Sequence, residues 1–92
     1  MEREFKDWHR ADILAGVRKT GITLAGLSRK AGLGDSTLAN AFARPWPRGE
    51  KIIADAIGVE PWVIWPSRYY DPNTGAFIDR LSKMRVRRKK PD

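Results

Sequence analysis

Side chains that could perform catalysis are few in this 92-residue sequence, whereas side chains that could bind a polyanion are many. There is no cysteine, and the single histidine, His9, lacks the partners that a metal site or a catalytic pair would need. No paired-acid motif and no GxxxxGK[ST] phosphate loop is present, so we expect neither an enzyme nor a cofactor. The net charge of +7 and the pI near 10.3 favour nucleic acid or an anionic membrane surface as the partner.

The stretch 23–44 predicts two short helices joined by a tight turn. Thr23 is a suitable N-cap for the first helix, and Gly32 can adopt the left-handed conformation that ends it. Asp35 and Ser36 offer capping oxygens for the second helix. Apolar residues share a face at helical spacing in each predicted helix: Leu24, Leu27 and Ala31 in the first, and Leu38, Ala41 and Phe42 in the second.

The spacing of small and apolar residues indicates how these two helices meet. Ser28 lies four residues before Gly32, and Leu38 lies six residues after it. This pattern supplies a small contact residue, a glycine where the chain reverses and an apolar plug behind the turn. A helix-turn-helix requires all three, but an ordinary αα-hairpin satisfies the spacing equally well. Serine also departs slightly from the alanine or glycine that is commoner at such a contact.

In a helix-turn-helix, the second helix enters the major groove with its N-terminal residues on base edges. The predicted helix 36–43 would then place Ser36, Thr37 and Asn40 against the bases. Asparagine can bind adenine through two hydrogen bonds, whereas serine and threonine contact most bases. The alternative for Asn40 is an ordinary polar surface residue, and we favour the DNA contact. We expect Asp35 to be a cap, although its carboxylate could also accept a hydrogen bond from cytosine.

Five further residues around this helix are candidates for contacts with DNA phosphates. Positive charge beside a helix N-terminus suits phosphate, which the free N–H groups also attract. Each residue alone could be a solvated side chain, but their clustering at one edge favours a function. The sequence leaves the role of Arg29 undecided. The five candidates are Thr23, Lys30, Arg44, Arg48 and Lys51.

Helices on both sides of the central stretch complete the predicted domain. The N-terminal helix would run from a cap at Asp7 through Lys19, with His9 solvated or capping in its first turn. Another helix would begin at Pro47, where the fixed φ of proline suits a first turn, and run to about Ile57. The sequence pattern therefore places one helix before the central pair and at least one after it.

A short fifth helix is predicted from Trp62 to Trp65, and Pro66 would end it. We therefore expect an all-α domain of about five short helices without a convincing strand. The tryptophans from Trp46 onward could stack on single-stranded bases, but each lies beside a proline in an apolar pattern, which favours core packing. The expected large core residues are Trp8, Phe42, Trp46, Trp62 and Trp65.

The composition changes at Tyr70, and we predict a domain boundary there. Residues 1–69 would form the helix-turn-helix domain, and residues 70–92 a turn-rich linker and a basic tail that is disordered without a partner. This tail could lie on DNA as a basic arm. Six positive charges fall within eight of its residues: Lys83, Arg85, Arg87, Arg88, Lys89 and Lys90.

Several motifs resemble the Ner family of small phage and bacterial regulators. The resemblance spans residues 7–69, and two of its motifs, W-P-S-R-Y and S-T-L-A-N-A, are not demanded by generic helix packing. The tail is more similar to the bacterial Ner-like proteins than to the shorter phage form. The motifs that carry the resemblance are D-W-H-R-A-D-I at 7–13, S-T-L-A-N-A at 36–41, Trp46-Pro47, Gly49-Glu50, Ile52-Ile53-Ala54 and I-W-P-S-R-Y at 64–69.

The resemblance implies a λ-repressor-like fold, DNA binding through the helix-turn-helix, and regulation of transcription without enzyme activity. We expect double-stranded DNA as the partner, without a small-molecule substrate or a membrane, and a monomer in solution that can pair on DNA. A cytoplasmic location is expected, because no signal peptide or apolar span of about 20 residues is present. The alternatives are a non-specific nucleic-acid binder and a membrane-surface or partner-docking module built on residues 77–90.

Overall fold

The computed structural model of this chain describes residues 6–80. Within that range, β pairing is limited to an isolated antiparallel bridge between Tyr70 and Phe77, so the all-α prediction is confirmed. None of the helices in these residues has the length and hydrophobicity of a membrane span. The elements are α1 Arg10–Arg18, α2 Leu24–Lys30, a 3-10 turn Thr37–Ala39, α3 Asn40–Ala43, α4 Pro47–Ile57, α5 Pro61–Ile64 and α6 Pro66–Tyr69.

Prolines begin the last three helices, and this explains why the structure has six helices where the sequence predicts about five. Proline suits the first helical position, because its φ is already helical and its missing N–H would have no intrahelical partner there. The predicted start of α4 at Pro47 is confirmed. The short helix α5 ends before Pro66, as predicted, but Pro66 also begins α6, which the sequence pattern does not indicate.

The predicted cap of the N-terminal helix at Asp7 is wrong. Helix α1 begins at Arg10, and its N-cap is His9, whose Nδ1 accepts a hydrogen bond from the N–H of Ala11 at 3.0 Å. Asp7 instead accepts hydrogen bonds from Ser67, at 2.9 Å from the backbone N–H and at 2.7 Å from the hydroxyl. Asp7 therefore caps α6, the last helix of the domain, because the free N–H groups of a first turn need an acceptor.

The predicted aromatic core is buried only in part. Trp65 is 3% exposed and belongs to the core cluster. Trp62 lies outside that cluster, with its ring 5.1 Å from the ring of Phe77 and 6.1 Å from that of Tyr69, so its prediction as a core residue is wrong. The largest fully buried side chain is Tyr69, which the prediction omits. Three other aromatic residues are partly buried against the core: Trp8, Phe42 and Trp46.

Residues 70–80, predicted as a turn-rich linker, fold back onto the domain. The N–H of Ile78 donates to the carbonyl oxygen of Tyr69 at 2.7 Å. The ring of Phe77 packs edge-to-face on Trp62 and stacks on Tyr69, with its centroid 6.3 Å from the Tyr69 centroid. The part of the predicted linker that the structure describes is thus a packed extension of the helices, beyond the predicted boundary at Tyr69.

Candidate nucleic-acid interface

A helix-turn-helix is formed by α2, a reversing turn, and the 3-10 turn that continues into α3. Thr23 caps α2, since its hydroxyl oxygen accepts from the N–H of Gly26 at 3.1 Å, and this predicted cap is confirmed. Gly32 has a φ of +82°, the left-handed conformation that the reversal requires. Leu38 packs behind the turn and is fully buried, as the spacing predicts.

Ser28 joins the two halves of this motif through its hydroxyl group. The side chain is fully buried. Its Oγ donates to the carbonyl oxygen of Gly34 and accepts from the N–H of Leu38 at 3.3 Å. Alanine or glycine would fit the helix contact but would remove the partner of two backbone groups, and a buried backbone group without a partner is costly. Serine is therefore suited to this site because it is both small and hydrogen-bonding.

The predicted second helix over residues 36–43 is present in two pieces. Residues Thr37–Ala39 form a 3-10 turn, and Asn40–Ala43 form a single α-helical turn. Both pieces bury one side, since Leu38 and Ala41 are completely inaccessible to solvent. We refer to residues 36–43 as the recognition segment. Its short pieces make its position dependent on the residues that surround it.

The predicted capping by Asp35 and Ser36 is wrong. Ser36 occupies the position before the 3-10 turn, but its side chain makes no capping hydrogen bond. Asp35 instead pairs with Arg29 of α2 at 3.1 Å, and both side chains are exposed. The carboxylate is thus bound by the Arg29 guanidinium and does not cap the segment. Such an exposed pair adds little stability, but it gives Arg29, undecided from sequence, a defined partner across the turn.

The predicted base-contacting residues lie on the recognition segment, away from its buried side. Ser36 and Asn40 are exposed, and Thr37 is half-buried. Ser36 precedes the 3-10 turn, and Asn40 lies three residues after Thr37, a spacing at which two side chains are neighbours on a helical surface. The structure therefore brings all three to the outer surface of the recognition segment.

The five predicted phosphate-contacting residues are all exposed, but their surroundings differ. Thr23 is engaged as the cap of α2. Lys51 pairs with Asp55 one turn further along α4, with Nζ 3.1 Å from Oδ2. Arg48 lies in the first turn of α4, next to the free N–H groups there. The other two residues end α2 and follow α3: Lys30 and Arg44.

The predicted basic arm lies outside the described residues, which end at Arg80. Arg80 itself is fixed to the domain, because its Nη1 donates to Oε1 of Glu50 at 2.8 Å. Its guanidinium also lies over the ring of Tyr69, 4.8 Å from the centroid. The chain is therefore anchored to α4 just before the arm begins. The arm comprises Lys83, Arg85, Arg87, Arg88, Lys89 and Lys90.

Glu50 is a fully buried carboxylate in the first part of α4, and the sequence analysis missed its role. Its Oε2 accepts from the N–H of Trp46 and from Nη1 of Arg68, each at 2.7 Å. Its Oε1 accepts from the hydroxyl of Tyr69 at 2.7 Å and from Arg80 at 2.8 Å. A buried charge is tolerated only with such partners. We call these five residues the Glu50 network.

The electrostatics of this network keep Glu50 charged and Tyr69 protonated. Burial by itself raises the pKa of Glu50, but the hydrogen bonds from Trp46, Tyr69 and Arg80 outweigh burial and hold this pKa below its ordinary value. Burial and the hydrogen bond to Glu50 raise the pKa of the Tyr69 hydroxyl far above its ordinary value. The phenol therefore remains a donor to a carboxylate that is ionised at neutral pH.

The W-P-S-R-Y motif is the sequence signal from which this network could have been found. Trp65 lies beneath Arg68, whose guanidinium carbon is 5.2 Å from the ring centroid. Ser67 binds the N-terminal segment, and Arg68 and Tyr69 both bind Glu50. The motif thus has a role at each of these positions, which explains why it is not a generic packing pattern. The motif does not reveal its partner, because Glu50 lies 18 residues before Arg68 and 19 residues before Tyr69.

Comparisons with known proteins agree with this geometry. Residues 7–82 match the family described as winged helix-turn-helix DNA-binding. The chain is 64% identical over 85 residues to "Sugar fermentation stimulation protein B" of Escherichia coli strain K12, covering 92% of both proteins. It is 56% identical over 64 residues to the "Negative regulator of transcription" of Escherichia phage Mu, covering 70% of this chain and 85% of that protein.

A solved structure supports the same assignment. The solution structure of the Mu Ner protein aligns with a TM-score of 0.61 and 57% sequence identity, over 68% of this chain and 85% of that chain. The "Mu-like prophage FluMu DNA-binding protein Ner" of Haemophilus influenzae is 41% identical over 68 residues, covering 74% of this chain and 76% of that protein. The chain therefore belongs to the Ner family of helix-turn-helix DNA-binding proteins and is a sequence-specific DNA-binding regulator of transcription.

Proposed function

We propose that the protein regulates transcription by inserting the recognition segment into the major groove of double-stranded DNA. Ser36, Thr37 and Asn40 would contact base edges there, because their side chains lie on the outer surface of the segment. The observation that carries this proposal is the division of the segment into an outer polar side and a buried apolar side formed by Leu38 and Ala41. Repression would follow where the bound site overlaps a promoter.

We further propose that Thr23 and four basic residues around the segment bind phosphates. Thr23 and Lys30 would contact the backbone from α2, and Arg44, Arg48 and Lys51 from the side of α4. The basic tail would add contacts that do not depend on sequence, because its charge is dense and Arg80 anchors the chain before it. Such contacts fix the orientation of the protein, while the recognition segment supplies discrimination between sites.

DNA is the only partner in this proposal. The protein would be a monomer in solution that pairs on DNA, without catalysis, a small-molecule substrate, a cofactor or a membrane. Selection of bound sites from random duplex DNA tests both the specificity and the stoichiometry. We expect an enriched motif, and two half-sites at a fixed spacing if two copies bind. Equal affinity for selected and scrambled duplexes would instead identify a non-specific binder.

Asn40→Ala is expected to lower affinity for the selected site and to leave binding to scrambled DNA nearly unchanged. A base contact carries discrimination, about 1–3 kcal/mol for a good bidentate pair. Fluorescence anisotropy on both duplexes measures the two affinities. The matched control is Asn73→Ala, which makes the same change in an exposed turn outside the helix-turn-helix. Equal weakening on both duplexes in Asn40→Ala would assign Asn40 to the backbone instead of a base.

Arg48→Ala is expected to weaken binding to every sequence and to flatten the salt dependence. Each lost phosphate contact changes the slope of log K against log[salt] by about 0.9. The change in Lys51→Ala should be smaller, because Asp55 already pairs with the Lys51 ammonium. Arg18→Ala, an exposed residue in the last turn of α1, controls for the loss of one charge. A slope in Arg48→Ala equal to that of the control would show that Arg48 faces solvent in the complex.

A further inference from the structure

Helix α3 contains a single turn, so it cannot hold its own position in the domain. It spans the four residues Asn40–Ala43. Helices this short are not stable alone, because nucleation fixes several residues for one hydrogen bond. The last carbonyl groups of a helix also lack intrahelical donors. In α3 the carbonyl of Asn40 has a backbone donor, because it accepts from the N–H of Arg44 at 3.1 Å, so the carbonyls that follow it are the ones to be considered.

Arg68 of α6 supplies donors to the next two carbonyl groups. Its Nη1 lies 2.7 Å from the carbonyl oxygen of Ala41, and its Nη2 lies 3.5 Å from that of Phe42. A cation at this end of a helix is also favoured by the helix dipole. The guanidinium therefore binds the C-terminal end of α3 from outside the helix-turn-helix.

The guanidinium is itself held in place from two sides. The same Nη1 also donates to Oε2 of Glu50 at 2.7 Å, so its two hydrogens serve the carboxylate and the Ala41 carbonyl. Trp65 lies beneath the guanidinium. The Arg68 side chain is only 13% exposed, and its planar fork has little freedom to turn. Arg68 therefore fixes the position of α3 relative to α4 and α6.

We propose that Arg68 is a positioning residue for base recognition, acting through the carbonyl groups of Ala41 and Phe42 on the turn that presents Asn40. This inference rests on the proposed function, because it assumes that the recognition segment reads bases. Base contacts require side chains held within a fraction of an ångström, and only surrounding residues can supply that accuracy to a one-turn helix. Arg68 does not have to touch DNA for this role.

The alternative is that Arg68 serves only to neutralise the buried Glu50. Arg80 distinguishes the two roles, because its guanidinium binds the same carboxylate at 2.8 Å, and its side-chain hydrogen bonds in the described part of the chain go to Glu50. Arg80→Gln is thus a matched control for Arg68→Gln, because both substitutions remove one guanidinium from Glu50. Only Arg68→Gln also removes the donors to α3. Arg68→Lys serves as a second variant that keeps the charge and loses the fork.

The experiment has one measurement without DNA and one with it, both well below the melting temperature. Hydrogen exchange of the Arg44 amide, bonded to Asn40, reports on α3, and exchange of the Ala31 amide, bonded to Leu27, reports on α2. Binding to matched and scrambled duplexes gives the discrimination ratio. In Arg68→Gln we expect Arg44 exchange to rise about tenfold relative to Ala31, and the discrimination ratio to fall about tenfold.

Arg80→Gln should change both measurements by less than about twofold, although its thermal stability falls. Arg68→Lys should lie between wild type and Arg68→Gln. Equal effects of the Arg68 and Arg80 variants, an unchanged discrimination ratio in Arg68→Gln, or unfolding of both Arg68 variants would overturn the proposal. A wild-type protein that does not discriminate between duplexes would refute the proposed base recognition, whereas the exchange ratio still decides whether Arg68 positions α3.

Discussion

Replacing Glu50 by alanine is expected to lower the free energy of unfolding by about 3–5 kcal/mol, the cost of removing one partner from a buried charged network. Two guanidinium groups, of Arg68 and Arg80, would remain largely buried with no carboxylate between them. The Tyr69 hydroxyl and the N–H of Trp46 would also lose their acceptor. Urea denaturation followed by tryptophan fluorescence measures this change.

Glu60→Ala is the matched control for this substitution. Glu60 is exposed and makes no capping hydrogen bond, although it precedes α5. Its replacement should change the free energy of unfolding by less than about 0.5 kcal/mol. A loss in Glu50→Ala as small as that of the control would mean that the network adds no net stability.

The ionisation of Glu50 also makes the stability that this residue contributes dependent on pH. The pKa of Glu50 lies below its ordinary value of 4.5 in the folded protein, so near that pH the unfolded chain binds more protons than the folded one. The contribution of Glu50 is therefore complete above the unfolded pKa and is lost as the pH falls through the folded pKa. The stability difference between wild type and Glu50→Gln should shrink on acidification from pH 6 towards pH 3.

Leu38→Asp is expected to unfold the domain or to leave it loosely packed. Leu38 is fully buried on the inner side of the recognition segment, where a carboxylate would be surrounded by apolar core side chains. The cost of several kcal/mol is comparable to the whole stability of a small domain, about 5–15 kcal/mol. Circular dichroism and thermal melting follow the loss of structure.

Leu38→Ala separates the effect of the charge from that of the cavity. Alanine removes the same packing but introduces no charge, and it should cost about 2–5 kcal/mol while leaving a folded protein. A cooperative melting transition of Leu38→Asp near the wild-type temperature would show that this side chain reaches solvent and that the phase of the recognition segment is wrong.

The features of the fold that the sequence predicts correctly depend on residues close together in the chain. Thr23 bonds three residues ahead, Gly32 adopts a left-handed conformation at a helix end, and Pro47 begins a helix. Each of these signals is a property of local backbone conformation. Residue type and short-range spacing are therefore sufficient to find them.

The features that the sequence does not predict depend on partners far away in the chain. Asp7 has the residue type and the position expected of a local helix cap, but its carboxylate oxygens accept hydrogen bonds from a residue 60 positions later. Glu50 reads as an ordinary surface acid of an amphipathic helix until Arg68, Tyr69 and Arg80 are placed around it. Spacing contains no information about such pairs, because only the packed fold decides which elements meet.

The candidate site shows the same division. The polar outer side of the recognition segment follows from helical periodicity, so Ser36 and Asn40 are exposed where the spacing places them. The pairing of Asp35 with Arg29 does not follow, since it crosses the turn and depends on how the two helices meet, whereas Lys51 and Asp55 stand four residues apart on one helix, a spacing at which side chains are neighbours. The contacts of these residues with DNA remain predictions.

The hydrogen bonds between Asp7 and Ser67 have a consequence for the order in which the domain folds. They close a loop of 60 residues, whereas the Ser28 bonds to Gly34 and Leu38 span 6 and 10 residues. Closing the longer loop costs more chain entropy, so the short-range contacts can form first. The helix-turn-helix is then the early-forming part of the chain, and the docking of α6 completes it late. A nascent chain would thus form its recognition segment before α6 docks and Arg68 hydrogen-bonds to that segment.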